Sequence, residues 1–577
     1  MTGIQFVTDE KGRKVGVLID LKKHGAIKER VVAVFVLLGV FLTIGALAAC
    51  HSTRNNVSLK TTTFVVGKLD AELQHLFISR GNGHVASVRA SGNKVWVVHD
   101  GVEGKRFDWV TSILFSPDGA HLAYFAQRDR RWFVVLDGVE GKPYDSVAAE
   151  TLIFSPDGNS LAYNAAYETL SGTTKQFRVL NQKEVKEYNS ANGEELSCIG
   201  IHACIRFSPN GRRLAYALRR HGHIMLVVDG IEGREYDSIG LEKALFSPDS
   251  QHTAYLAQRG FEYFVVVDGA EMKGYERFPG YISFSADGKH LAYLAWSQRG
   301  WFFPVIDGVE FPEHHITGLH VLFSPDGRRS AYSIDSNGGR GQSMVVDGEQ
   351  GPEYANVGSV EFSPDSKHVV YPAYDRNRKK WFTVLDGVEG KRYDRVEWTG
   401  PSSESFFSPN SVHTAVWIKD DGKEFVAVDG VEQKKYDEVG IGRVFSPDSK
   451  RTAYWAKRRT KYFAVVDGSE SEPYDRVEWA SIVFSPDSRH VAYIAANKGR
   501  DFIVVDGVEA SGFDAVGSYA VGTSVFRENQ DIPVDYADVY DPLDVYDPLV
   551  FARKDLLYAI GREGNNILRI EVQILER

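Results

Sequence analysis

Histidine returns at one place in a repeated pattern, as His121, His252, His290, His368, His413 and His490. Imidazoles in series could hold a metal ion. Other copies put Ser160, Arg213, Arg329 and Arg451 in the same place, and equivalent positions of successive repeats stand too far apart to share one ion. A structural task is therefore expected, with no metal and no cofactor. The aspartate of Ser-Pro-Asp-Gly, for instance Asp118, Asp326 and Asp487, recurs in nearly every copy and reads as a turn former. Three cysteines, Cys50, Cys198 and Cys204, never form the paired knuckles of a zinc site. Cys198 and Cys204 are close in sequence, and an oxidising compartment permits a disulfide between them. An extended strand would hold their Cα atoms about 20 Å apart at ~3.3 Å per residue, so the bond needs a turn at Gly200. Two buried thiols are the alternative.

Catalytic patterns are missing. The chain has no Gly-x-Ser-x-Gly elbow and no glycine-rich phosphate loop opening a helix. No catalytic residue is assigned, and the expectation is a protein that is not an enzyme. Charge is more informative. The chain carries a net −10, which excludes nucleic-acid binding by bulk charge. Yet one class of loop is basic: "QRDRR" at 127–131, "YDRNRKK" at 374–380 and "KRRTK" at 457–461. Arg128, Arg130, Arg131, Arg376, Arg378, Lys379, Lys380, Lys457, Arg458, Arg459 and Lys461 thus form a candidate face for an anionic partner. Trp132, Trp301 and Trp381 directly follow such loops and offer stacking or cation–π surface. The alternative is that these loops are merely solvated.

The elements that would position these residues come from the repeat. Phe115-Ser116-Pro117-Asp118-Gly119 has relatives beginning at Phe154, Phe207, Phe246, Phe284, Phe323, Phe362, Phe407, Phe445 and Phe484, mostly 38 or 39 residues apart. Eroded copies near Phe77 and Phe526 bring the total to about twelve. A period near 40 with several strands per unit predicts an all-β propeller of four-stranded blades. "SILF" is the first strand, Ser-Pro-Asp-Gly the first turn and "HLAYFA" the second strand. "WFVVLDG" is the third strand, Asp137-Gly138 a hairpin turn and "KPYDSV" the outer strand. Twelve blades exceed an ordinary ring of about four to eight, so two tandem six-bladed propellers are expected, 67–312 and 313–577, with a joint near 308–320. The last unit lacks a fourth strand, which 61–69 could supply. The longest unit, in blade three, and "DVYDPLDVYDPL" at 538–549 depart from the pattern. Departures of this kind can mark binding loops; slippage in a tolerant loop is the other reading of the duplication.

The Ser-Pro-Asp-Gly half of the unit resembles the WD40-like Asp-containing repeat of TolB-type propellers. The resemblance covers roughly 70–577 and supports the fold; the "VVDGVEGKxYD" half departs from that repeat, so the partners of such propellers are not carried over.

The N-terminal region reads as an address. Residues 1–24 read as two short strands around Lys11–Arg13; residues 1–30, with Lys22, Lys23, Lys28 and Arg30, are expected to be a cytoplasmic n-region, with a misassigned start as the alternative reading. Residues 31–49 are uncharged and apolar and end in Leu47-Ala48-Ala49-Cys50, which resembles the lipobox of bacterial lipoproteins. The resemblance implies cleavage and lipidation at Cys50. With His51 rather than Asp next, it also implies the periplasmic side of the outer membrane. An uncleaved membrane helix over 31–50 is the alternative. Residues 51–66 read as a linker. The expected function is an exported, membrane-anchored scaffold that binds envelope proteins or anionic envelope polymers, with no nucleic acid. A periplasmic hydrolase or lyase with a central-channel site and a structural spacer are the other two readings.

Overall fold

The structure is a computed structural model. It describes residues 4–8, 14–19, 57–68, 73–79 and 549–576, together with 83–517 apart from 170, 198–204, 241–245, 278–279, 297–300, 313–314, 317–320, 337–340, 398–405, 441–443 and 479–480. The apolar run 31–49, Cys50, Cys198, Cys204 and nearly all of the duplicated 538–549 segment lie outside the described residues. The chain divides into two units. In the first, Ile4–Thr8 pairs antiparallel with Lys14–Ile19, as the sequence predicts. The second, Ser58–Leu575, holds the repeats.

Twelve blades follow one another in chain order. Blade 1 spans 73–107, blade 2 109–140, blade 3 146–189, blade 4 194–232, blade 5 238–271 and blade 6 280–310. Blade 7 spans 315–354, blade 8 356–389, blade 9 395–432, blade 10 438–470, blade 11 476–509 and blade 12 515–576. Strands are called A to D in order within each blade. In blade 2 they are Trp109–Phe115, Leu122–Arg128, Arg131–Leu136 and Val139–Glu140, the last continued by a bridge between Trp132 and Tyr144. Strand B is "LAYFA", buried at every position, because the next blade covers one face and the previous blade the other. The dipeptide "SV" after Tyr-Asp belongs to the following blade: Ser146–Val147 pairs with Leu161–Glu168 as part of strand A of blade 3.

Both predicted turns form. Gly119 N–H donates to Ser116 O at 2.8 Å, closing the Ser-Pro-Asp-Gly turn. Asp137 and Gly138 both take positive φ, 50° and 78°, the geometry of a type I′ hairpin. The turns also stack between blades. A Cβ on Gly158 would come within 2.9 Å of the Asp118 carboxylate of blade 2, so glycine makes room there. Where serine replaces that glycine it becomes a contact: Ser366 Oγ accepts the Asp326 N–H of the previous blade at 2.9 Å.

The expected division into two rings is not what forms. All twelve blades make one ring. At the proposed joint, Ala292 and Leu294 of blade 6 pack on Ile316, Tyr332, Ile334 and Val345 of blade 7, as any neighbouring blades do. Closure is between blades 12 and 1, where Val85 packs with Ile560 and Ile567, and Arg569 donates to Gly83 O at 2.8 Å. Strand D of blade 12 is Val57–Lys68, from the other end of the repeat array, paired with Asn566–Glu576. The strand expected from 61–69 therefore exists and begins within the stretch read as linker. The ring size depends on the wedge between blades, which no local pattern encodes.

Candidate functional site

At the end of the ring where the A–B and C–D turns emerge, each recurrent histidine is held by its own blade. His121 Nδ1 lies 2.7 Å from Asp137 Oδ2, while Asp137 Oδ1 accepts the Leu122 N–H at 2.9 Å. His252 with Asp268 and His490 with Asp506 repeat this clip, both at 2.7 Å. Arg213, Arg329 and Arg451 substitute with Nε on Asp229, Asp347 and Asp467 at 2.8, 2.8 and 2.9 Å. The aspartate of "VVDG" therefore ties the start of strand B to the end of strand C.

The half of the repeat that departs from TolB-type units joins blade to blade. The glutamate of "VEG" gathers donors from two blades. Glu271 accepts from Arg259 of its own blade at 2.9 and 2.8 Å and from the Tyr236 hydroxyl of blade 4 at 3.0 Å. Glu232 accepts from Arg220 and, across the boundary, from Lys186 at 2.8 Å. Arg220 first and Lys186 second hold its carboxyl down at about 2. The same tyrosine meets the "LAY" tyrosine of the next blade edge-on, as Tyr236 does Tyr255 with centroids 6.4 Å apart. The aspartate of "YD" pins the next blade's B–C turn: Asp237 Oδ2 accepts the Gly260 N–H at 2.7 Å.

These contacts claim much of the predicted basic face. Arg128 binds Glu140 bidentately at 3.1 and 2.7 Å. Arg131 pairs with Asp145, and Arg458 with Glu470. Arg378 pairs with Asp375 at 2.7 Å, and Lys380 with Asp394 at 2.7 Å and Asp420 at 3.0 Å. Lys457 pairs with Glu438 at 3.3 Å and Lys461 with Asp475 at 2.5 Å. Arg376 stands exposed beside Asp375, in the lining of a shallow polar hollow of about 310 Å³ between blades 7 and 8. Arg130, Lys379 and Arg459 sit at the loop tips, and their side chains have no carboxylate partner among the described residues. All three have positive φ, at 62°, 54° and 56°. Trp132 and Trp381 are half-buried against the blade cores, whereas Trp301 is 46% exposed.

Two residues escaped the sequence reading. Phe261, at the B–C turn of blade 5, is 93% exposed. Its signal was an aromatic ring at a tip where other blades carry polar residues. Arg178 in strand C of blade 3 is fully buried, and its guanidinium nitrogens have no hydrogen-bond partner among the described residues. It lies over the Tyr216 ring at 4.3 Å. Alignment of the repeats puts it where blade 2 has Val134, an outlier visible from sequence.

No family model matches the chain, and no curated protein matches it. Among solved structures it is similar to a eukaryotic initiation factor, at 12% identity and a TM-score of 0.29, over 58% of this chain and 97% of that one. TolB from Acinetobacter baumannii matches at 14% identity and TM-score 0.17, over 50% of this chain and 62% of that one. The β-propeller domain of the Trilobed protease from Pyrococcus furiosus matches at 13% and 0.21, over 56% and 96%. The strand order and the closure between blades 12 and 1 identify this chain as a twelve-bladed β-propeller.

Proposed function

We propose that the protein is an exported, membrane-anchored binding module of the bacterial cell envelope, and that its B–C rim docks an anionic partner. The anchor rests on the apolar run and on Cys50. The docking rim rests on one observation above all: Arg130 keeps an arginine in left-handed backbone. Blades 4, 9 and 11 place Gly222, Gly422 and Gly499 at the corresponding turn position, where such backbone is unstrained. A non-glycine residue there costs roughly 1 kcal/mol, so the side chain is retained against local preference. Lys379 and Arg459 add cations on the rims of blades 8 and 10, and Phe261 and Trp301 add exposed aromatic surface on blades 5 and 6. Cations beside aromatic rings suit an acidic protein segment or a carboxylated or phosphorylated polymer. The polar residues of the repeat itself hold the ring together, which favours a binder over a catalyst.

The test is a variant with Arg130, Lys379 and Arg459 changed to Ser and Phe261 to Ser. Binding to immobilised polyglutamate and to purified anionic envelope polymers is measured at low and moderate salt. Binding by the parent should weaken with salt and drop in the variant. Binding that is salt-insensitive and unchanged in the variant would reject the rim as a docking surface.

A further inference from the structure

Blade 1 modifies the His–Asp clip in a way no other blade does. His84 Nδ1 lies 2.6 Å from Asp100 Oδ2, and Asp100 Oδ1 accepts the Val85 N–H at 2.8 Å, as in the other clips. The residue before the aspartate is aliphatic elsewhere, as in Leu136, Val228, Val267 and Ile306. In blade 1 it is His99. Its ring packs on Phe115 of blade 2 with centroids 5.7 Å apart, the contact an aliphatic side chain would make. Its Nε2 is buried, has no hydrogen-bond partner among the described residues and lies 3.8 Å from Asp100 Oδ2.

We propose that His84, His99 and Asp100 bind a divalent transition-metal ion of the zinc type. Their ligand atoms, two imidazole nitrogens and a carboxylate oxygen, all lie within 4.8 Å of one another. A tetrahedral ion about 2.0–2.1 Å from each ligand holds them about 3.3 Å apart. The separations of 2.6 and 3.8 Å bracket that value, so small side-chain shifts suffice. The ligand set of two nitrogens and one oxygen suits zinc, cobalt, nickel and copper better than calcium or magnesium. The Val85 N–H fixes the far carboxylate oxygen and aims the near one, the supporting contact a metal ligand needs. Three protein ligands leave a fourth position for water or for a partner's side chain. This site is independent of the B–C rim, since it lies at the opposite end of the blade.

The chain itself supplies the test variants. His99→Leu restores the residue of blades 2 and 8. His84→Arg restores the clip of blades 4, 7 and 10. Both remove a ligand and keep a side chain the repeat already accommodates. Zn2+ binding to the chelator-treated full chain is followed by calorimetry, and Co2+ binding by its visible absorption. The parent should bind one ion that each variant loses or binds at least about tenfold more weakly. His252→Leu, in the ordinary clip of blade 5, should leave that binding unchanged. Equal affinity in the parent and His99→Leu, or no stoichiometric Co2+ spectrum in the parent, would overturn the assignment. Matched melting curves separate ligand loss from misfolding.

Discussion

Blades 10 and 3 share a strand order and differ in where they put charge. In blade 10, Arg451 and Asp467 form the clip, and Glu470 receives Arg458, Lys434 at 2.8 Å and the Tyr436 hydroxyl at 2.8 Å. Its core position in strand C is Ala464. In blade 3 the clip is neutral: Asn181 Oδ1 accepts the Leu161 N–H at 2.8 Å, and Asn181 Nδ2 reaches Ser160 Oγ at 3.3 Å. The core position holds Arg178. Blade 10 thus pairs its charges at its edges, whereas blade 3 buries one inside. The difference teaches that the clip survives the loss of its charges, with asparagine in the aspartate's place, and that one core position holds a guanidinium over a tyrosine ring.

The largest effect should come from exporting the anomaly. Ala464→Arg puts a second unpartnered cation in a packed core and should destabilise by roughly 3–5 kcal/mol. Loss of hydrogen-exchange protection in blade 10 would report it; unchanged protection would mean that any blade absorbs such a charge. The reverse change, Arg178→Val, should stabilise by about 1–3 kcal/mol at neutral pH. Burial pushes the Arg178 pKa down to about 9. The unfolded chain keeps its proton to higher pH, so the destabilisation due to Arg178 diminishes as pH passes upward through about 9. The advantage of Arg178→Val is therefore full at pH 7 and shrinks above pH 9, which melting at the two pH values would show.

Removing a clasp should cost less. Glu470→Gln loses charge-assisted bonds from both blades and should destabilise by about 2 kcal/mol. Acid does the same more widely. The Glu232 carboxyl, ordinarily near 4.5, sits at about 2 in the folded chain, so its contribution is complete above pH 4.5 and lost as pH falls towards 2. A Glu232→Gln variant should melt with a shallower pH dependence across that window. The smallest effect is at the rim. Arg130→Gly should stabilise by about 0.5–1 kcal/mol by relieving left-handed backbone, while weakening binding to polyglutamate. A loss of stability instead would show that Arg130 serves the turn.

Blade number, strand order and turn types were legible because each depends on a few neighbouring residues, such as Asp137-Gly138. The single ring was not, because its closure joins Val57–Lys68 to Asn566–Glu576 across the whole array. The basic loops were legible as composition, but their partners were hidden. Arg128 meets Glu140 twelve residues on, and Lys186 meets Glu232 in another blade. Position-by-position alignment of the repeats also exposes Arg178, a charge among uncharged equivalents, and His99, an imidazole among aliphatic ones.

The blade-to-blade clasp has a direction. Where the clasp forms, as from Tyr236 to Glu271, Tyr275 to Glu310, Tyr436 to Glu470 and Tyr474 to Glu509, one edge of a blade presents the donor and the other the accepting glutamate, so the contact is heterologous, and it closes only when the rotation per step divides the circle, about 30° for twelve steps. A chain with one blade removed would keep two complementary edges that fall short of each other. Those edges would then meet on neighbouring molecules, and the product would be a head-to-tail filament in place of a smaller ring.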